Sequence, residues 1–391
     1  MPGRCTACAL LLAFAAGGCG KSATPVSGLP PVVSKSGRPA SATALGFPVF
    51  ATKNTTRVGG TDPAADAAGV AQAVYPSATT TDRPRAVALV DGRDWRTALA
   101  ASVLMAPPIR APVLLGDGTD LPAATASALQ ALAPSGSDPA GGAQVVRIGN
   151  VARPSGLKTT DLVGADPFAL ARAIDAFQAA ARGSTAGSVV VASADDPAFA
   201  MPAAAWAAKS GDPILFTHRD TLPEPTRVAL AAHQQPRIYV LGPSTVISAA
   251  VTRALRRLGT VIRIEAPTPQ SNAVAFARYI DSSFGWGVVD PGHGLVFASP
   301  RRPADAAAAA ALSASGTYGP LLLVGDHGDL PRSVANYLLD IQPGYSRDPT
   351  RGVYNHGWIV GDDAAISIAA QAQIDSDLEI APTGKSVASQ P

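Results

Sequence analysis

Short unbroken apolar runs alternate with amphipathic stretches along most of this chain. The pattern is clearest from Asp212 to Glu265. Ile214 to Thr217 is apolar without alternation, the mark of a strand buried on both faces. Leu222-Pro223 then opens a helix, with proline in a first turn that has no need of its N–H. Arg237 to Leu241 is a second buried strand, broken by Gly242-Pro243-Ser244. Val246 to Leu258 reads as a helix, with Val246, Ile247, Ala250, Val251, Ala254, Leu255 and Leu258 on its apolar face and Ser244 as its cap. Gly259 ends it, and Val261 to Ile264 is a third strand. Strand, helix, strand, helix, strand with short joints predicts parallel βαβ units.

The unit recurs. Ala111 to Leu115 and Gly319 to Leu323 match its first strand. The Leu-Pro helix start returns at Leu121-Pro122 and Leu330-Pro331, roughly a hundred residues to either side, a period that suits a small domain rather than a solenoid. The following strand returns at Val145 to Ile148 and Trp358 to Val360. The expected fold is therefore α/β: three tandem homologous modules, each a small parallel β-sheet flanked by helices, over residues 56–158, 159–260 and 261–382. Asp62-Pro63 and Asp166-Pro167 read as N-caps followed by proline, and Thr268-Pro269 stands at the matching place. Arg153 to Gly156 stands where the second module starts its last helix, so the first module is expected to lack that helix.

The ends differ in character. Residues 1–18 read as a signal peptide, with Arg4 in the n-region and an apolar stretch from Ala7 to Ala16 too short to span a bilayer. Ala16-Gly17-Gly18-Cys19 resembles a bacterial lipobox, which predicts lipidation at Cys19 by diacylglycerol and palmitate-like acyl chains. Residues 19–55 are rich in Ser, Pro, Ala and Gly and read as a flexible tether; Gly46 to Phe50 is placed to dock onto the first module. Residues 383–391 form a short polar tail. Localisation follows as exported and lipid-anchored to the outer face of the cytoplasmic membrane.

Composition narrows the function. A net charge of +2 over 391 residues gives no argument for nucleic acid as a partner. The 3 cysteines are Cys5, Cys8 and Cys19, so nothing after residue 19 can form a disulfide or a thiolate metal site. His218, His233, His293, His327 and His356 stand at no metal-ligand spacing. Asp195-Asp196 and Asp362-Asp363 read as caps rather than metal ligands. No nucleophile elbow or phosphate-binding glycine loop follows a strand, so no catalytic residue, metal or cofactor is assigned.

Ile238 to Ser248, Val113 to Leu115 and Val261 to Ile264 resemble the cell wall-binding repeat type 2 family, which typically carries three repeats. Arg57-Val58-Gly59-Gly60 is similar to that repeat's opening, and Asp94 to Ala101 to its Asp-Ala-Leu helix start, with Thr97 where the aspartate stands. Arg57 and Arg263 match the leading arginine; the second opening has Asp161 there. The resemblance covers roughly residues 57–380. It implies a non-catalytic envelope protein whose partners are an anionic or polysaccharide wall polymer and, through Cys19, the membrane.

Parallel sheets hold ligands at the carboxyl ends of their strands. Candidate ligand-binding residues there are Arg93, Asp94, Trp95, Arg96, Arg301 and Arg302, with Trp95 stacking on a sugar face. Arg57 and Arg263 join them, either facing ligand or bonding between modules. The plainer reading makes the aspartates helix caps and the arginines solvated surface. Two other functions remain open: a solute-binding lipoprotein for a small ligand, and a protein-docking scaffold of the envelope.

Overall fold

The computed structural model describes residues 50–383. The signal peptide, Cys19, most of the tether and the tail expected beyond Thr383 lie outside the described residues. The first stretch runs β1 (Phe50–Ala51), β2 (Thr55–Val58), α1 (Pro63–Val74), β3 (Val87–Asp91), α2 (Trp95–Ala101), β4 (Val113–Gly116), α3 (Ala123–Leu132) and β5 (Val145–Ile148). The second runs β6 (Thr159–Leu162), α4 (Pro167–Arg182), β7 (Ser188–Ser193), α5 (Pro197–Ala200), α6 (Pro202–Ser210), β8 (Ile214–Thr217), α7 (Glu224–Ala232), β9 (Arg237–Leu241) and α8 (Ala249–Leu255). The third runs β10 (Thr260–Ile264), α9 (Pro269–Arg278), β11 (Gly294–Ala298), α10 (Asp305–Ser313), β12 (Leu321–Leu323), α11 (Arg332–Asp340), β13 (Gly344–Tyr345), β14 (His356–Val360), α12 (Ile368–Asp377) and β15 (Ala381–Pro382).

These strands build small parallel sheets flanked by helices, the fold class expected from the sequence. The first sheet is ordered β4-β3-β5-β6 and the second β8-β7-β9-β10. The third is ordered β12-β11-β14-β2, with β1 added antiparallel at the edge. Each sheet takes its fourth strand from the segment that opens the next stretch of chain. For the third sheet that segment is β2, from the start of the described chain: Thr55 pairs with Gly357 and Val58 with Val360. Of the segment Gly46 to Phe50, expected to dock onto the first module, only Phe50 is described, and it pairs with β2 at the edge of the third sheet.

Local chemistry explains the helix starts. Asp62 and Asp166 accept from the N–H of Ala65 and Ala169 at 2.9 and 2.8 Å, each just before a first-turn proline. Thr268 and Ser271 close a reciprocal capping box. The helix expected over Val246 to Leu258 is shorter, because Ser248, not Ser244, caps it. Pro223 caps α7 rather than entering its first turn. No helix separates β5 from β6, as expected from Arg153 to Gly156.

Alanine-rich helices fill the middle. Every residue of α10 is buried, Ala306 to Ala311 among them. A helix apolar all round belongs in a core, and α10 packs against both α1 and α6. Ala203 to Ala205 on α6 and Ala98 to Ala101 on α2 are equally buried. Small side chains let these helices approach closely, so one apolar cluster runs from Val58 to Leu378. Among the described residues, no helix is long and apolar enough to cross a membrane.

Candidate functional site

In each sheet the second strand lies outside the first and the fourth strand outside the third, so the strand order turns between the first and the third. The crevice between their carboxyl ends is where open α/β sheets hold ligands. The three crevices are framed by β3 and β5, β7 and β9, and β11 and β14. The third strand of each ends on a glycine at positive φ, Gly149 (74°), Gly242 (110°) and Gly361 (102°), a turn that disfavours any other residue. The strand register aligns the loops after the first strands. Arg93, Asp195 and Arg301 correspond, as do Asp94, Asp196 and Arg302, and then Thr97, Phe199 and Asp305.

The first crevice is open. A cavity of about 280 Å³ is lined by Asp91, Arg93, Asp94, Thr97, Gly149 and Asn150, with Leu170 at its wall. Arg93 is paired with Asp91 at 2.8 Å and Asp117 at 3.3 Å. Burial would push the Asp91 carboxyl up, but the Arg93 hydrogen bonds outweigh it and hold the group below its ordinary value. Asp94 accepts from the Thr97 hydroxyl. Trp95 and Arg96 face the second sheet instead. Trp95 is half-buried, edge-on to Phe216 with ring centroids 5.9 Å apart. The Arg96 guanidinium lies 4.6 Å from the Trp95 ring centre and donates to the Ala194 carbonyl at 2.8 Å.

The second crevice is plugged by an aromatic ring. Phe199 is buried, and a side chain at Gly242 would meet its ring at 3.3 Å. At the rim, Asp195 bonds His218 Nδ1 at 2.6 Å and accepts the Arg219 N–H at 2.8 Å.

The third crevice is filled by charge. Arg302 donates to Asp362 at 2.9 Å and lies 3.6 Å from Asp66. Asp66 and Asp305 are both fully buried and close enough for their charges to interact, and among the described residues neither Asp305 carboxyl oxygen has a hydrogen-bond partner. Two like charges buried side by side repel, which favours the protonated form. Burial pushes both acids up; the Asp305 charge reinforces this at Asp66, while the Arg302 guanidinium opposes it at both. Asp66 is fixed by the Gly60 N–H at 2.6 Å, and its carboxylate occupies the space beside Gly59 that a Cβ there would need. The same position three residues after the helix proline is Leu170 in α4 and Asn272 in α9. Asn272 makes the equivalent bond, accepting from the Ala266 N–H at 2.9 Å. Arg301 donates to the Ala364 and Ala365 carbonyls.

Arg57 and Arg263 hold corresponding turns. Arg57 is buried and donates to the carbonyls of Gly361 (2.8 Å), Asp362 (2.7 Å) and Ile366 (2.9 Å) and to Gln371 (2.9 Å). Burial pulls its pKa down to about 10, which leaves it charged at neutral pH. Arg263 donates to Gly242 (2.5 Å), Ile247 (2.9 Å) and Thr252 (2.6 Å). The corresponding residue in the first sheet is Asp161, and there the guanidinium comes from the paired residue on the neighbouring strand. Arg147 donates to Val151 and Ala152 and pairs with Asp161 at 2.8 Å.

The expected site residues thus do not converge on one groove. Arg93 and Asp94 line an open crevice, Arg302 seals another, and the remaining arginines hold backbone carbonyls. The sequence reading missed Asp66, Asp305 and Arg147. Asp305 was findable: counted from the strand end, it falls where Thr97 does in the helix start.

Elsewhere, His233 is buried with Nδ1 2.8 Å from the Ala186 carbonyl and Nε2 2.8 Å from Asp175. Both partners are acceptors, so both ring nitrogens carry protons. Burial works against the imidazolium, but the Asp175 bond and charge outweigh it and raise its pKa. Among the described residues, no group of three or more His, Cys, Asp or Glu side chains could hold a metal ion.

Residues 162–252 match the family model of cell wall binding domain 2 (CWB2). Cwp6 from Clostridium difficile is similar in structure, with a TM-score of 0.61 at 16% identity over 85% of this chain. Cwp8 from Clostridium difficile gives 0.62 at 18% identity over 84%. The chain spans about half the length of each, 49% and 52%. No curated protein matches it. The resemblance read from the sequence is borne out, by the family model over that segment and by the fold over most of the chain.

Proposed function

We propose that this is a non-catalytic protein of the cell envelope that binds a wall polymer through three tandem α/β modules. The observation that carries this reading is the CWB2 match over residues 162–252. Two further features support it. The chain's fold resembles that of two proteins named Cwp, and one strand order recurs in three sheets. Each module, over 56–158, 159–260 and 261–382, lends its opening strand to a neighbour's sheet. Export through residues 1–18 and lipidation at Cys19 would hold the modules at the outer face of the cytoplasmic membrane. Weak contacts at separate modules would add by multivalency. The open first crevice, with Arg93, Asp94 and Asn150 at its mouth, is the place for hydroxyl-rich units.

Co-sedimentation of the mature protein with purified wall tests the reading. Saturable binding is the expected result. No binding to wall, either intact or stripped of its anionic polymers, would remove it. Mass spectrometry of the membrane-extracted protein tests the anchor, which predicts acylated Cys19 at the N-terminus.

A further inference from the structure

We propose that Arg253, Arg256 and Arg257 form a phosphate-binding edge by which helix α8 holds a phosphate-bearing anionic polymer of the envelope. This rests on the wall-binding reading above and moves its anionic contact out of the crevices.

Arg253 lies in the last turn of α8, Arg256 is its C-cap, and Arg257 follows. The chain keeps helical geometry there: Arg256 has φ −61° and ψ −17°, and its N–H donates to the Thr252 carbonyl at 3.1 Å. Spacings of three and four residues therefore put the three guanidiniums on one face, and all three residues are exposed. None makes an ion pair, side-chain hydrogen bond or cation–π contact among the described residues. Like charges at these spacings oppose a helix. The C-terminal end of the helix dipole favours a cation, but that is no reason for three.

The fold does not require them. Ser248 and Ser367 are equivalent caps, and Thr252 and Gln371 are equivalent partners of Arg263 and Arg57. On that alignment α12 carries Ala372, Asp375 and Ser376 where α8 has its arginines. The first sheet has no helix at this place. The basic face is thus particular to the second sheet, immediately after the segment that matches CWB2.

The chemistry selects the partner. Arg93 and Arg302 are taken up by carboxylates, and Arg57, Arg96, Arg263 and Arg301 by carbonyls, so the crevices offer little free positive charge. Three adjacent guanidinium forks suit phosphate groups, which they bind in bidentate fashion. A membrane surface is the poorer match. It calls for about four to eight cations, and none of the exposed large apolar side chains lies on α8.

The test uses the mature chain with Arg253→Gln, Arg256→Gln and Arg257→Gln together. Binding is measured to intact wall, to wall stripped of phosphate-bearing polymer, and to anionic phospholipid vesicles. The wild type is expected to prefer intact wall and to weaken with salt. The triple variant should bind intact wall at least about tenfold more weakly, with a shallower salt dependence and an unchanged or higher Tm. Equal binding by variant and wild type overturns the inference and leaves the wall-binding reading standing. Equal wild-type binding to stripped wall does the same. Tighter binding to vesicles than to wall reassigns the edge to the membrane. No binding of the wild type to any wall overturns both readings.

Discussion

The first and third sheets share one strand order, yet their crevices have opposite contents. In the first, Thr97, Leu170 and Asp94 leave a cavity of about 280 Å³. In the third, Asp305, Asp66 and Arg302 occupy the same three places and close the space with a buried ionic cluster. The backbone fixes where a crevice forms; three side chains decide whether it stays open. The difference also assigns roles. Asp66 belongs to α1 and Asp305 to α10, so the third crevice joins the start of the described chain to its last third. It is a seam, whereas the first crevice keeps its cavity.

The strongest way to break the comparison is at the seam. Arg57→Ala removes one side chain that serves three carbonyls and Gln371, all buried or nearly so. Unsatisfied carbonyls and lost charge-assisted bonds predict a loss of roughly 4 kcal/mol. Arg263→Ala, at the more exposed equivalent place, should lose roughly half of that, about 2 kcal/mol. Urea unfolding of the two variants measures the ratio. Equal losses would mean that closure through β2 matters no more than any other strand pairing.

A second contrast sets the second sheet against the third. Asp175 and His233 occupy places that hold Ala277 and Ile341 in the third sheet, both fully buried. His233→Leu leaves the Asp175 charge buried without its partner and should cost roughly 3 kcal/mol. Replacing both as Asp175→Ala with His233→Ile copies the third sheet and should return to within about 1 kcal/mol of the wild type. The imidazolium is favoured in the folded state. Its stabilisation is therefore complete below the unfolded pKa of about 6.5 and is lost as pH rises through the raised folded value. The double variant should lack that alkaline loss in a Tm series from acid to alkaline pH.

Asp66→Asn turns the seam acid into the residue that α9 uses at the same place. Asparagine keeps an acceptor for the Gly60 N–H and offers its amide to Asp305. The two acids are raised in the folded protein. Their contribution is present below about pH 4 and falls as pH rises through the raised values. At pH 8 the variant should be more stable than the wild type by on the order of 2 kcal/mol, with little difference at pH 4. Thermal unfolding at both pH values decides it; a variant less stable at pH 8 would mean that the cluster tolerates both charges.

Much of the scaffold was legible because its causes are local. Unbroken apolar runs gave the strands, and Asp62, Asp166 and Thr268 before proline marked the helix starts. The partner of β2 was not legible. Thr55 to Val58 has strand character, but nothing in four residues says that Arg57 will meet Gly361, 304 residues on. The surroundings of the candidate site residues were hidden for a related reason. An arginine at a strand end is equally consistent with a ligand contact and with a ring of waiting carbonyls, and only the turn geometry of Gly242 and Gly361 shows the second. Ser244 lost the cap to Ser248 because the turn from Pro243 already satisfies the N–H groups of Val246 and Ile247.

The smallest effect probes how the first sheet replaces the missing arginine. There Arg147 reaches Val151 and Ala152 from β5, with Asp161 beside it as counter-charge. In the other sheets the guanidinium comes from the fourth strand, opposite Val240 and Ile359. If the two arrangements do the same work, Arg147→Val alone should cost about 1–2 kcal/mol, since it leaves two carbonyls without their donor and a half-exposed carboxylate with Arg153 as its remaining partner. Adding Asp161→Arg then rebuilds the second-sheet arrangement and should recover at least half of that loss. The coupling between the two changes, read from a double-mutant cycle by urea unfolding, should be about 1 kcal/mol in the favourable direction. A cycle that closes with no coupling would show that the turn after β5, which lacks the helix that follows β9, holds its shape without a guanidinium.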